Sequence, residues 1–157
     1  MSVTPINSKL FKAVSASTTA IAIAQTLGGA GNLNLVSSSV SDGSNMDTTV
    51  TLTSTGNISG VTFTVTGTDA SGSTITEDIT GPNSTTVTGS TKFLTVTQIA
   101  ADAAVSTNTS AGFTATSGTA GIVFAGGTRV RGLQGVSSST AGALIIRNGS
   151  QSGTKLL

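Results

Sequence analysis

The chain has 157 residues, a formal charge of +1, only 8% charged residues, and no His, Cys, Tyr or Trp. Those absences exclude disulfide staples, thiolate metal sites and any His-based catalytic arrangement, and the near-zero charge gives no reason to expect nucleic acid or an acidic membrane as a partner. Ser and Thr make up about a third of the chain and Gly adds 20 residues, so polarity comes from hydroxyls and backbone, while 36% hydrophobic residues are enough to fold one domain or two small ones.

Residues 1–26 show no core pattern beyond the alternation Ala20-Ile21-Ala22-Ile23 and are read as an extended N-terminal arm. Lys9 and Lys12 precede an apolar stretch that imitates a secretory signal, but Ser15, Ser17, Thr18 and Thr19 interrupt it, so an unprocessed chain is expected. No run approaches the ~20 apolar residues that cross a bilayer as a helix, and no membrane partner is expected. Ile21 and Ile23 are candidate partner-binding residues: on an apolar ribbon tethered by Gly28-Gly29-Ala30-Gly31 they would add to the exposed sheet edge of a neighbouring subunit. On that reading, deleting residues 1–26 spares the fold. The glycine cluster is not a phosphate loop, because Asn34 stands where the third Gly of the dinucleotide fingerprint belongs and no helical pattern follows.

Residues 27–110 read as an antiparallel β-sandwich module. Period-two patterning marks strands at 33–36, around Val50 and Leu52, at 61–65, at 75–79 and at 93–99. Between them lie turn-forming clusters such as Gly56-Asn57, Thr68-Asp69-Ala70-Ser71-Gly72 and Gly81-Pro82-Asn83, so residues 61–79 form a hairpin. Val61, Phe63, Val65, Ile75, Ile79, Phe93 and Ile99 alternate with hydroxyls and are expected to line one core. No stretch sustains the i, i+3, i+4 apolar spacing of a long helix. The segment from Asp42 to Asp47 carries two carboxylates and an amide, but its spacing fits no calcium loop and it reads as a solvated loop. Glu77 and Asp78 are adjacent on a strand, face opposite sides and cannot flank one bond, which removes a two-carboxylate hydrolase. No enzyme activity and no cofactor are expected.

Residues 111–157 read as a second, smaller β module. A Ser/Thr/Asn/Gly-rich stretch at 106–121 marks the boundary, and strand candidates follow at 122–124, 129–133, 143–147 and 155–157. So few strands are hard to stabilise alone, so either they pair with the first module or a neighbouring subunit, or the module is truncated and its remaining strands lie beyond Leu157. Charge divides along the same line. All six acids lie within residues 42–102, whereas residues 103–157 hold four bases and no acid. Arg129 and Arg131 would share one face of a strand, and Arg147 joins them from the next hairpin. The three are candidate partner-binding residues for a carboxylate-bearing protein, since the aromatics that would favour single-stranded nucleic acid are absent.

The stretch VTFTVTGTDASGSTITEDITGPNSTTVTGSTKFLTVTQI, residues 61–99, resembles a segment of structural proteins of tailed bacteriophages, including cyanophage-type viruses. The shared pattern is a Val-Thr-Gly-Thr-Asp hairpin, then Thr-Glu followed by Ile-Thr-Gly-Pro-Asn, then an aromatic strand running into Val-Thr-Gln-Ile, with Leu94 where a second aromatic is expected. GGTRVRGLQGVSSSTAGALIIRNGSQSGTKLL, residues 126–157, is similar to another small virion module whose chain normally continues further. The resemblance covers about half the chain. It implies a virion structural protein assembled in the host cytoplasm, homo-oligomeric, with the major capsid protein or another virion protein as partner. A capsid decoration or cement protein is the first expectation and a tail or fibre-attachment component the second. A carbohydrate-binding adhesion module is the alternative of another class, weakened by the absence of Trp and Tyr. Low charge and many strands suit permanent contact, where desolvating charge is costly and backbone hydrogen bonds extend between subunits.

Overall fold

The computed structural model describes residues 11, 13–40, 46–116, 145 and 154–156. The chain divides into two units, Met1–Val123 and Phe124–Leu157. In the second unit the described residues, Ile145 and 154–156, are exposed, and the expected small β module otherwise lies outside the described residues.

The first unit is all-β among its described residues. Its eight strands are β1 Ser17–Leu27, β2 Gly31–Asn32, β3 Thr48–Ser54, β4 Thr62–Thr68, β5 Thr74–Thr80, β6 Thr86–Phe93, β7 Thr95–Ala101 and β8 Val105–Phe113. They form two four-stranded antiparallel sheets, ordered β1-β8-β3-β6 and β2-β7-β4-β5. Alternation explains the layering. In β4 the inward residues Phe63 and Val65 are buried while Thr62, Thr64, Thr66 and Thr68 face out, and β3 opposes them from the other sheet with Val50 and Leu52. Phe63, Val65, Val50, Leu52, Phe93, Val96, Ile99 and Val105 have no exposed surface and belong to one core cluster. The seven residues expected in the core all belong to that cluster or, in the case of Ile75, pack against it half-buried.

Three sequence expectations are corrected. The N-terminal arm is not separate: β1 pairs antiparallel with β8, and Ile21 and Ala22 lie fully buried in the core. Pairing continues outward to Val14, whose amide donates to Thr116 Oγ1 at 2.8 Å and whose carbonyl accepts from the Thr116 amide at 3.1 Å. Alternation within residues 20–23 was a true strand signal; its destination was this chain's own sheet. The boundary stretch beginning at 106 is not a linker either, since residues 105–113 form β8, an interior strand of its sheet. Its inward residues Thr109, Ala111 and Phe113 are buried opposite Ser54, Leu52 and Val50. Small and hydroxyl side chains read as turn-formers, yet here they fill a tightly covered strand. The module at 27–110 therefore extends in both directions.

The expected strand at 93–99 is in fact two. Phe93 ends β6 in one sheet and Thr95 begins β7 in the other, with Leu94 donating its amide to the Thr68 carbonyl at 2.7 Å. Gly67 makes this crossing possible: a Cβ there would collide with the Thr95 carbonyl and the Phe93 ring. Expected effects follow for two substitutions, to be read by denaturant unfolding. Ile21→Ala should cost about 2–4 kcal/mol as a core cavity, and Gly67→Ala about 1–3 kcal/mol as overpacking. Deleting residues 1–26 should abolish cooperative unfolding, because it removes β1 and uncovers β8.

Candidate interaction surfaces

A sandwich has two long seams where the edge strands of its sheets face each other, and here the two are closed differently. On one side, residues 33–40 run as a strap between β1 and β7. Leu33 donates to the Ile99 carbonyl at 2.9 Å, Val96 donates to Ser38 at 2.8 Å, and Val40 donates to Leu94 at 3.2 Å. The same strap reaches the other sheet, because the Val36 amide donates to the Ile21 carbonyl at 2.8 Å. Gln25 adds a side-chain clamp: its Nε2 donates to the Asn34 carbonyl at 3.1 Å and its Oε1 accepts from the Asn34 amide at 2.9 Å. Leu33 and Val40 turn inward and are buried. The stretch expected as a strand at 33–36 is thus extended chain bonded to both sheets.

On the other side, β5 and β6 splay apart around a shallow groove of about 330 Å³ bordered by Asp78, Ile79, Thr80, Val87, Thr88 and Ser90. Glu77 bridges its far end. Opposite Val65 in the register, Glu77 points inward, while Asp78, opposite Thr64, points outward and accepts the Thr64 hydroxyl at 2.6 Å. β6 carries an irregularity between its pairings with Thr49 and Thr51, which releases the amides of Ser90 and Thr91 from the ladder. Glu77 Oε1 accepts both amides, Thr91's at 3.0 Å, together with the Ser90 hydroxyl at 2.8 Å. Gly89 leaves room for the carboxylate, since a Cβ at that position would collide with Oε2. Glu77 therefore caps a bulge, and an inward charge on an edge strand also discourages uncontrolled pairing. Glu77→Ala should lower stability by about 1–3 kcal/mol by leaving two amides without an acceptor, and Glu77→Gln, which keeps Oε1, should cost less.

The outer face of the β2-β7-β4-β5 sheet is a field of hydroxyls and amides. Thr62 faces Thr80, Thr66 faces Thr76, Thr68 faces Thr74, and Gln98 Nε2 donates to Asn32 Oδ1 at 2.9 Å. At the tip of the β4–β5 hairpin, the Asp69 carboxylate accepts the Ser71 hydroxyl at 2.6 Å and the amides of Ser71 and Ser73 at 2.8 and 2.9 Å. These bonds, the Ser71 hydroxyl first, hold its pKa below the usual value of 3.8 against the opposing effect of burial. A depressed folded pKa stabilises the hairpin above the unfolded value and loses that contribution as pH falls through the folded value. Asp69→Asn should accordingly separate from the parent in stability at neutral pH and converge with it in strong acid, as followed by thermal unfolding across pH.

Of the sequence-predicted contact residues, Ile21 is buried and unavailable, whereas Ile23 is 59% exposed. Val36, 58% exposed, shares its edge, because residues 34–37 run beside residues 21–25. Sequence reading missed Val36, whose place beside Ile23 depends on the strap. Arg129, Arg131 and Arg147 lie outside the described residues, as do Asp42 and Asn45 of the acidic loop; Asp47, at its end, is buried. Among the described residues no three carboxylates gather as a metal site, and no helix is long and apolar enough to cross a membrane. No family model, no curated protein and no solved structure matches this chain.

Proposed function

We propose that this chain is a structural protein of a tailed-phage virion: a capsid decoration or cement protein, homo-oligomeric in the particle, that docks on the major capsid protein and braces capsomer junctions. The sequence resemblance over residues 61–99 motivates the virion assignment. The observation that carries the docking role is the exposure of two large apolar side chains, Ile23 and Val36, along the β1 edge of a sandwich whose β2-β7-β4-β5 sheet has a hydroxyl-covered outer face. Such a spot is small, so a single contact is weak. A protein displayed many times on a regular lattice turns weak contacts into firm attachment through effective concentration. Hydroxyl faces desolvate at lower cost than charged ones, which suits close lateral contact between neighbours.

Locating the protein in a particle reconstruction tests this reading. Density distributed over the shell is the expected result; density confined to the tail would replace decoration with a tail role, and absence from purified particles would overturn the virion assignment. Ile23→Asp should change stability by no more than about 0.5 kcal/mol, since the side chain is exposed, yet sharply lower incorporation. Normal incorporation of that variant would remove the β1 edge as the docking surface.

A further inference from the structure

The outer edges of the two sheets are β1 and β6 in one and β2 and β5 in the other, and all but β5 are obstructed. Residues 33–40 continue the β2 edge along β7 and bond across to β1, while β6 is broken by the irregularity that hands the Ser90 and Thr91 amides to Glu77. The phase of the β4–β5 hairpin is fixed at both ends, by the Asp69 amide donating to the Ser73 carbonyl at 3.0 Å and the Gly81 amide donating to the Val61 carbonyl at 2.8 Å. Between those bonds Ile75, Glu77 and Ile79 turn their main-chain groups toward β4, so those of Thr74, Thr76, Asp78 and Thr80 point away from it. All four residues are exposed, and among the described residues no strand pairs with that edge. β5 contains neither Pro nor Lys, the residues that most often blunt such an edge.

We propose that β5 pairs antiparallel with β5 of a second copy, about a two-fold axis at Glu77, joining the two β2-β7-β4-β5 sheets into one. The strand is nearly its own reverse: Thr-Ile-Thr-Glu-Asp-Ile-Thr reads almost the same in both directions from Glu77. Pairing about that residue sets Thr74 opposite Thr80 and Thr76 opposite Asp78 on the outer face, and Ile75 opposite Ile79 on the inner face. Asp78 keeps the Thr64 hydroxyl on Oδ1, which leaves Oδ2 for the Thr76 hydroxyl of the second copy. Neighbouring registers fit worse. Moving the axis to Thr76 or to Asp78 keeps the main-chain groups in phase but sets Ile75 or Ile79 against the Glu77 carboxylate, and the second choice also opposes Asp78 to itself. At the favoured axis the two Glu77 carboxylates approach each other, and each is held by the Ser90 and Thr91 amides of its own β6, which offset part of its charge. The interface is isologous and closes at two copies. It stands on the free edge and its self-complementary sequence and does not depend on the virion reading.

The test is sedimentation velocity of the full chain over a wide concentration range, followed by cross-linking. The parent should pass from monomer to dimer as concentration rises. Thr76→Pro removes an amide that faces away from β4, so it should leave the fold in place, as checked by circular dichroism, and weaken the dimer by about tenfold or more. Glu77→Gln keeps an Oε1 acceptor for the β6 amides but removes the like charges at the axis, and should tighten the dimer. The chain has no cysteine, so introduced ones report the register directly. A mixture of Thr76→Cys and Asp78→Cys should oxidise to the mixed dimer in preference to either homodimer, because only residues 76 and 78 stand opposite, with Cα atoms about 5.5 Å apart and within disulfide reach. That mixture also decides the matter if Thr76→Pro does not fold. The proposal is overturned by a parent that stays monomeric, by a dimer that a folded Thr76→Pro leaves unchanged or Glu77→Gln weakens, or by disulfides that favour either homodimer.

Discussion

Among the described residues, six of the seven connections between strands run from one sheet to the other, and only the β4–β5 hairpin stays within a sheet. That constraint governs the molecule. Neither sheet is built from consecutive strands alone, and the core that unites Ile21, Phe63, Phe93 and Phe113 closes only when strands from both ends of the unit are present. β1 and β8 are the first and last strands and pair with each other. Such non-local pairing is slow to fold, because loop closure must be met before the contacts that reward it.

Frequent crossing also dictates where small residues and hydroxyls must go. Gly67 yields space to the β6–β7 crossing, and Gly89 yields space to the Glu77 carboxylate. Buried Thr48 shares a hydroxyl bond with Thr114 at 2.7 Å, and Ser54 shares one with Thr107 at 2.6 Å, so these two hydroxyls drawn into the interior find partners there, whereas Thr51 Oγ1 and Glu77 Oε2 are buried without one. A chain this poor in charge thus keeps its sheets together by aliphatic and phenylalanine packing plus paired hydroxyls, and leaves a hydroxyl-rich outer face on the β2-β7-β4-β5 sheet.

The two seams give that surface its direction. A strap bonded to both sheets makes one side permanent, while the other is spanned at one end by a single carboxylate. Ile23 and Val36 stand exposed on the strapped side, and the groove between β5 and β6 lies on the other.

Composition and period-two alternation determined the all-β class, the 61–79 hairpin, the core residues on β4, β5 and β7, and the opposition of Glu77 and Asp78, because each depends on side chains a few residues apart. What only the tertiary structure decided was destination. The alternation at 20–23 looks the same whether the strand joins its own sheet or another subunit's, and burial of Ile21 against exposure of Ile23 rests on an irregular pairing with β8. β8 itself was hidden because Thr, Ser, Ala and Gly form turns when exposed and an interior strand when neighbours cover both faces. The break at Leu94 left no mark in the alternation, since the close approach of Phe93 and Thr95 to Gly67 of β4, where they pass from one sheet to the other, joins residues far apart in the chain. Local pattern selects a strand; the partner that covers it is chosen by residues far away in the chain, and that choice is made by packing.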